Sequence, residues 1–238
     1  NAENITGGFT SVVYWVRFTT KNITDSPISW ILESLYSPMD YMEFYQQDIE
    51  QVDSKPSRYI KSLYGDKYPF SQRDIKYRNT AIPLVAHDGR SQTYYIRFSS
   101  LGSMTINLKK WPAQTFSEKV DADKSAYGFF FGLMLITAFY SFVSVFFTRD
   151  ISYVWVGLAL IGTAGYSASL NGLSFQYIWP NSIWLQEVGI PIVINLAFAS
   201  IGLFSINFLE LKGNYPKWHR AITILLCTCA FLAFLSTF

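Results

Sequence analysis

The sequence predicts a two-part membrane protein: an all-β sandwich of jelly-roll type followed by an α-helical bundle with four transmembrane spans. Three observations predict it. Charge stops at Lys124, and from Ser125 to Leu209 the only acidic or basic side chains are Arg149, Asp150 and Glu187, which lie between long apolar runs. Residues 10–110 instead alternate apolar and polar side chains with period two, the mark of half-buried strands. Turn signals punctuate that stretch at Asp25–Ser26–Pro27, Ser37–Pro38, Tyr64–Gly65–Asp66, His87–Asp88–Gly89 and Leu101–Gly102–Ser103. The formal net charge of +2 therefore pools two regions of opposite character.

In order along the chain, Ser11–Thr19 places Val12, Tyr14, Val16 and Phe18 on one face and Val13, Trp15 and Arg17 on the other. Ser29–Ser34 and Asp40–Tyr45 alternate in the same way, with Tyr41, Glu43 and Tyr45 sharing a face. Ile75–Leu84, Thr93–Ser99 and Ser103–Leu108 continue the pattern. These strands fit one sandwich over residues 1–112. Residues 113–124, with mixed charge after Pro112, read as a linker. Residues 125–238 read as the membrane region, with spans over 125–147, 151–170, 189–209 and 221–238. The last run is still apolar at Phe238, so a chain cut inside or just after a span is expected. The opening residues lack the basic-then-apolar pattern of a secretory leader, so an export signal is expected to have preceded Asn1.

Loop charge orients the bundle. Thr148–Asp150 carries Arg149, and Glu210–Arg220 carries Lys212, Lys217 and Arg220, whereas Asn171–Val188 has no Lys or Arg. Positive loops stay in the cytoplasm, so Asn171–Val188 and the N-terminal domain are expected outside. Trp179 and Trp184 suit the outer interface and Trp218 the inner one. Gly128 and Gly132 form a G-x-x-x-G on the first span, a pattern that suits close helix packing and also arises by chance. Asn195 and Asn207 are expected to face the bundle and hydrogen-bond between helices.

The candidate ligand-binding residues are Trp15, Arg17, Arg73, Tyr95 and Arg97. Trp15 projects with Arg17, and Tyr95 with Arg97, while Arg73 lies in the turn-rich Pro69–Arg73. An aromatic ring covers the apolar face of a sugar, and a guanidinium fork bonds hydroxyls or carboxylates. The alternative is that these arginines pair with Glu33, Glu43 or Asp74 and serve the fold. Asp48, Glu50 and Asp53 form an acidic loop that is either solvated or a weak Ca²⁺ candidate, without the glycine and closing glutamate of an EF-hand. No other metal and no cofactor is implied.

Other classes fare poorly. No basic stretch is dense enough for nucleic acid. His87 and His219 fall in loops on opposite sides of the membrane, and no Ser/His/Asp set is evident, so no catalytic residue is assigned. Cys227 and Cys229, two residues apart, point roughly 200° apart on a helix and read as packing residues. Asn4–Ile5–Thr6 and Asn22–Ile23–Thr24 match a glycosylation sequon. No span carries a mid-membrane charge, which weakens the alternative of a transporter or channel subunit with an outer gating or docking domain.

Several strings resemble one family: Tyr14–Trp15–Val16–Arg17–Phe18, Tyr68–Pro69–Phe70–Ser71–Gln72–Arg73, Tyr94–Tyr95–Ile96–Arg97–Phe98, Tyr127–Gly128–Phe129–Phe130–Phe131–Gly132, Thr148–Arg149–Asp150 and Gly172–Leu173–Ser174–Phe175–Gln176–Tyr177–Ile178–Trp179–Pro180. In order and spacing they are similar to the bacterial seven-transmembrane receptors with diverse intracellular signalling modules, with a type 2 periplasmic sensory domain. The resemblance implies a jelly-roll domain like carbohydrate-binding modules, seven helices, and a cytoplasmic histidine kinase or diguanylate cyclase. This chain departs from it in showing four spans and no output domain. The expectation is a multi-pass protein of the bacterial inner membrane, a homodimer in the lipid bilayer, whose periplasmic domain takes a small-molecule or saccharide ligand.

Overall fold

A computed structural model describes residues 5–48, 59–87 and 91–235. They form two compact units, one comprising Asn1–Asp121 with Asn171–Ile183 and the other Ala122–Leu170 with Trp184–Phe238.

The first unit is a β-sandwich. Its strands are β1 (Ile5–Phe9), β2 (Tyr14–Lys21), β3 (Ile28–Ser34), β4 (Tyr41–Gln47), β5 (Tyr59–Tyr64), β6 (Thr80–Ala86), β7 (Ser91–Ser99), β8 (Ser103–Ile106) and β9 (Leu108–Pro112). One sheet has the order β2-β7-β4-β5, the facing one β6-β3-β9, and β1 pairs with β8. Most successive strands cross between the layers, as in a jelly roll, while β4 and β5 form a pair within one sheet. The alternation in β7 fixes its register: Tyr94, Ile96 and Phe98 are fully buried, while Tyr95 and Arg97 between them stay partly exposed. A one-residue slip would invert every one of those positions. Tyr94 stacks on Phe18 and Phe44 and meets Trp30 edge-on, at the centre of a core that also holds Leu32, Met42, Ile82 and Leu84. Pro83 lacks an N–H, and its strand β6 is an edge strand, where that donor is not needed.

Strand β3 breaks the expected alternation, because it is buried on both faces from Trp30 to Ser34. Trp30 and Leu32 face the sandwich core, while Ile31 joins Tyr77, Ala81 and Phe116 in a second cluster. Phe116 comes from the first helix, α1 (Ala113–Thr148). The segment 113–124, expected as a linker, is thus helical from Ala113, and its first turns cover the outer face of the three-stranded sheet. Asn22 of the second sequon is buried. Its Nδ2 donates to the carbonyls of Ser26 (2.7 Å) and Ala86 (3.0 Å), and its Oδ1 accepts from Thr24, so this side chain is spent on a turn. Asn4 of the other sequon lies outside the described residues.

The second unit contains the rest of α1, α2 (Ser152–Leu170), α4 (Ile183–Phe208), the short α5 (Leu211–Asn214) and α6 (Pro216–Leu235); α3 (Leu173–Tyr177) belongs to the first unit. Among the described residues four helices, α1, α2, α4 and α6, are long and apolar enough to cross a membrane. Their hydroxyls do not need water: those of Ser141, Ser144, Thr163, Ser169 and Ser200 each donate to the carbonyl four residues back. Asn195 does the same, donating to the Pro191 carbonyl of its own helix (2.8 Å) rather than to a neighbour, and Asn207 is exposed near the end of α4. The close approaches come from other glycines than expected. A Cβ at Gly162 would lie 2.6 Å from the Ala197 nitrogen, one at Gly157 2.7 Å from the Phe142 ring, and one at Gly202 2.8 Å from Leu226. At Gly128 and Gly132 no described atom would lie within 4 Å of an added Cβ, so that motif packs nothing among the described residues.

Glu33 has no exposure, and its carboxylate accepts from Lys119 Nζ (2.8 Å), Asn79 Nδ2 (2.8 Å) and Trp111 Nε1 (2.7 Å). Lys119→Met leaves that carboxylate buried without its cation, and the chain loses about 3 kcal/mol of unfolding free energy. Denaturation of the purified chain in detergent, followed by tryptophan fluorescence, measures this. Adding Glu33→Gln to Lys119→Met recovers part of the loss, because no unpaired charge then remains.

Candidate functional site

Strand pairing assembles the open face of the four-stranded sheet. Trp15 pairs with Arg97, which pairs with Glu43. In the next outward row Arg17 pairs with Tyr95, Tyr95 with Tyr45, and Tyr45 with Lys61. Four of the five residues singled out in the sequence, Trp15, Arg17, Tyr95 and Arg97, therefore lie side by side on adjacent strands. The Trp15 and Tyr45 ring centroids are 5.6 Å apart, those of Tyr59 and Tyr95 5.5 Å, and the Arg17 guanidinium lies 5.8 Å from the Tyr95 centroid. Trp15 keeps 57% of its surface exposed in spite of these neighbours. A face of this kind is wet and aromatic.

Its electrostatics centre on Glu43, which accepts from the Tyr45 hydroxyl (2.7 Å) and pairs with Lys61 (3.1 Å) and Arg97 (3.3 Å). The Tyr45 hydroxyl, helped by Lys61 and Arg97 and opposed by partial burial, holds the Glu43 carboxyl below its ordinary value of 4.5. Tyr45 is pushed up in return by the same bond. Burial and then Tyr95 push Tyr59 up. Arg17, Lys61 and Arg97 against Glu43 leave this patch net positive. The sequence had already placed Glu43 and Tyr45 on one face. Tyr59 and Lys61 were missed because β5 lies outside the alternating segments, and only the β4–β5 register brings it alongside.

Arg73 does not join them. It is buried, 6% exposed, in the segment after the 3-10 turn Phe70–Gln72, its Nη1 donating to the carbonyls of Tyr77 (3.2 Å) and Arg78 (3.1 Å). Its guanidinium lies 4.9 Å from the Phe70 centroid and 5.5 Å from that of Phe175. Burial lowers its pKa to about 10, so it remains a cation at neutral pH. Of the acidic candidates only Asp48 is described; Glu50 and Asp53 lie outside the described residues. Among the described residues no group of three His, Cys, Asp or Glu side chains could hold a metal ion.

A second polar cluster sits on the opposite, three-stranded sheet, around Glu33. Lys119 bonds both Glu33 and the Tyr77 hydroxyl (2.7 Å). Burial works against its charge, and the bonds to Glu33 and Tyr77 outweigh it, so its pKa is raised. Composition did not reveal this cluster, since Glu33, Tyr77 and Lys119 lie far apart in the chain.

Comparison with known families decides the class. Residues 1–112 match the family model described as 7TMR-DISM extracellular 2, and residues 123–238 match the one described as 7TM diverse intracellular signalling. The chain belongs to the 7TMR-DISM family. No curated protein matches it. It carries the extracellular sensory domain and membrane helices of a 7TMR-DISM transmembrane receptor, and it is a multi-pass membrane protein with that N-terminal domain outside. The matched domains are sensory rather than catalytic.

The Glu43 cluster has a defined acid limit. A carboxyl held below its ordinary value contributes stability that is complete above 4.5 and is lost as pH falls through the lower, folded-state value. Tyr45→Phe removes the largest lowering contribution, so the Glu43 titration moves up towards 4.5. Carboxyl ¹³C NMR of glutamate-labelled chain reads it; a midpoint that does not move would mean that the tyrosine bond is not the controlling one.

Proposed function

We propose that the open face around Trp15, Arg17, Tyr95 and Arg97 binds a saccharide, and that occupancy of this face is the input of a receptor in the bacterial inner membrane whose sandwich stands in the periplasm. The observation that carries the reading is Trp15: a large ring left 57% exposed beside Tyr45, with cations around it. An exposed indole on a rigid sheet covers a sugar ring at little entropic cost, and the neighbouring guanidinium groups bond its hydroxyls or carboxylates. A carboxylate-bearing sugar would take over Arg97 or Lys61 from Glu43. The output is a cytoplasmic histidine kinase or diguanylate cyclase, and the receptor acts as a homodimer. Its signal travels through the first turns of α1, which the Glu33–Lys119 cluster holds against the sandwich. A ligand shifts that arrangement only by binding one state better than the other.

A transporter or channel subunit is the rival reading. Away from their ends the described spans carry no Asp, Glu, Lys, Arg or His, and the Ser and Thr hydroxyls that donate are satisfied on their own helices, which offers an ion or proton no charged step.

Calorimetry of the full chain in nanodiscs, against neutral and uronic-acid oligosaccharides and against Ca²⁺, tests the ligand. Trp15→Ala lowers saccharide affinity roughly tenfold, about 1.4 kcal/mol. Arg97→Ala lowers it by a similar factor, and its cost to folding stays under about 1 kcal/mol because Glu43 keeps Tyr45 and Lys61. Heat-silent titrations with every oligosaccharide would remove the saccharide reading. An Arg97→Ala chain that melts would assign that arginine to the fold instead.

A further inference from the structure

Residues 171–183 join α2 to α4, and they are folded into the sensory unit rather than the membrane unit. Every kind of contact contributes. Phe175 is 1% exposed and meets Phe70 edge-on with centroids 5.7 Å apart. The buried Arg73 guanidinium lies against both rings. The Phe70 amide donates to the Pro180 carbonyl (2.8 Å), and Gln176 Nε2 donates to the Lys76 carbonyl (3.2 Å). Gly172 has φ +72, and a Cβ there would sit 2.1 Å from Ser37 Oγ and 2.6 Å from the Arg78 carbonyl oxygen, so only glycine admits this approach. Ser174 has no exposure. The cradle that receives the loop, residues 69–79, also contains Tyr77 and Asn79, which bond Lys119 and Glu33 beneath the start of α1.

We propose that this loop is a second output line of the sensory domain: the 69–79 cradle grips Phe175, so a change in the sandwich reaches α2 and α4 directly, alongside α1. A loop that merely linked two spans would need no buried aromatic anchor and no buried cation. Burying a guanidinium against two rings, with carbonyls as its hydrogen-bond acceptors, is costly, and the charge of Asp66 offsets only part of the penalty. Arg73 bears that cost at the point where the loop docks. Because Arg73 and the Glu33 cluster share one short segment, the two lines respond to the same displacement. The proposal rests on the receptor reading and not on the saccharide, so it stands or falls without the ligand.

The test uses the full chain in nanodiscs, with Cys227→Ser and Cys229→Ser, and nitroxide labels at Asp150→Cys and Lys212→Cys, beyond the ends of α2 and α4 away from the loop. Two variants release the loop, Phe175→Ala and Gly172→Ala, with Phe175→Leu as a milder third. Hydrogen exchange at the Phe70 amide and over 173–179 rises at least roughly tenfold, while β3 and β7 keep their protection. The distance distribution between the labels shifts in the same variants and not in Leu101→Ala, a control at an exposed turn outside the ligand face and the cradle. Loop release with an unchanged distribution would overturn the proposal. So would unaltered exchange at the Phe70 amide, since the anchor would then not be holding the loop.

Discussion

Strand β3 has no wet face from Trp30 onward, and the rest of the molecule follows from that constraint. A sandwich strand ordinarily buries alternate side chains and gives the others to water. Here both sets are covered, one by the sandwich core and one by Tyr77 and the first turns of α1. Glu33 sits in the second set as a carboxylate with no exposure, and the charge that compensates it comes from Lys119 of the helix that enters the membrane. Removing α1 from the sheet would strand that carboxylate, at a cost of several kcal/mol. The beginning of the membrane helix is therefore a structural part of the sensory domain.

The two outer faces differ in what they ask of their side chains. On the four-stranded sheet Glu43, Arg97 and Lys61 stay in contact with water, so each pairing there is worth little and is easily exchanged. On the three-stranded sheet the pairing of Glu33 with Lys119 is screened from water and hard to exchange. Between them lies a core of interlocked rings, Tyr94 with Phe18, Phe44 and Trp30, which has little room to yield.

Much of this was legible in the chain, for reasons that can be named. Period-two alternation exposed the faces of β2 and β7, so Trp15, Arg17, Tyr95 and Arg97 could be grouped without knowing which strands pair. Alternation gave no hold on Arg73, which lies in a turn and whose guanidinium is shared between carbonyls of its own segment and Phe175 of a loop distant in sequence. It failed for residues 113–124 because mixed charge before an apolar run looks like a linker; Phe116 and Lys119 are recognisable as anchors only once β3 is known to need cover. Gly128 and Gly132 show the limit of a spacing rule. The same small residues at Gly157, Gly162 and Gly202 make the close contacts, since a glycine packs only where a partner helix arrives, and sequence does not say where that is.

The loop contact also supplies a second warrant for topology. Charge counting placed 171–188 outside because that stretch has no Lys or Arg, while Arg149 and the Lys212–Arg220 cluster lie in the alternate loops. Loop charge acts during insertion and is independent of folded contacts. Phe70 donating its amide to Pro180, and Phe175 buried against Phe70, require the loop and the sandwich to share one side of the bilayer. Two crossings, α1 and α2, separate the sandwich from the loop, so the parity agrees with the contact. Insertion energetics and tertiary packing thus lead to one arrangement from unrelated physics: a sensory domain that keeps hold of the chain after it has passed through the membrane and returned.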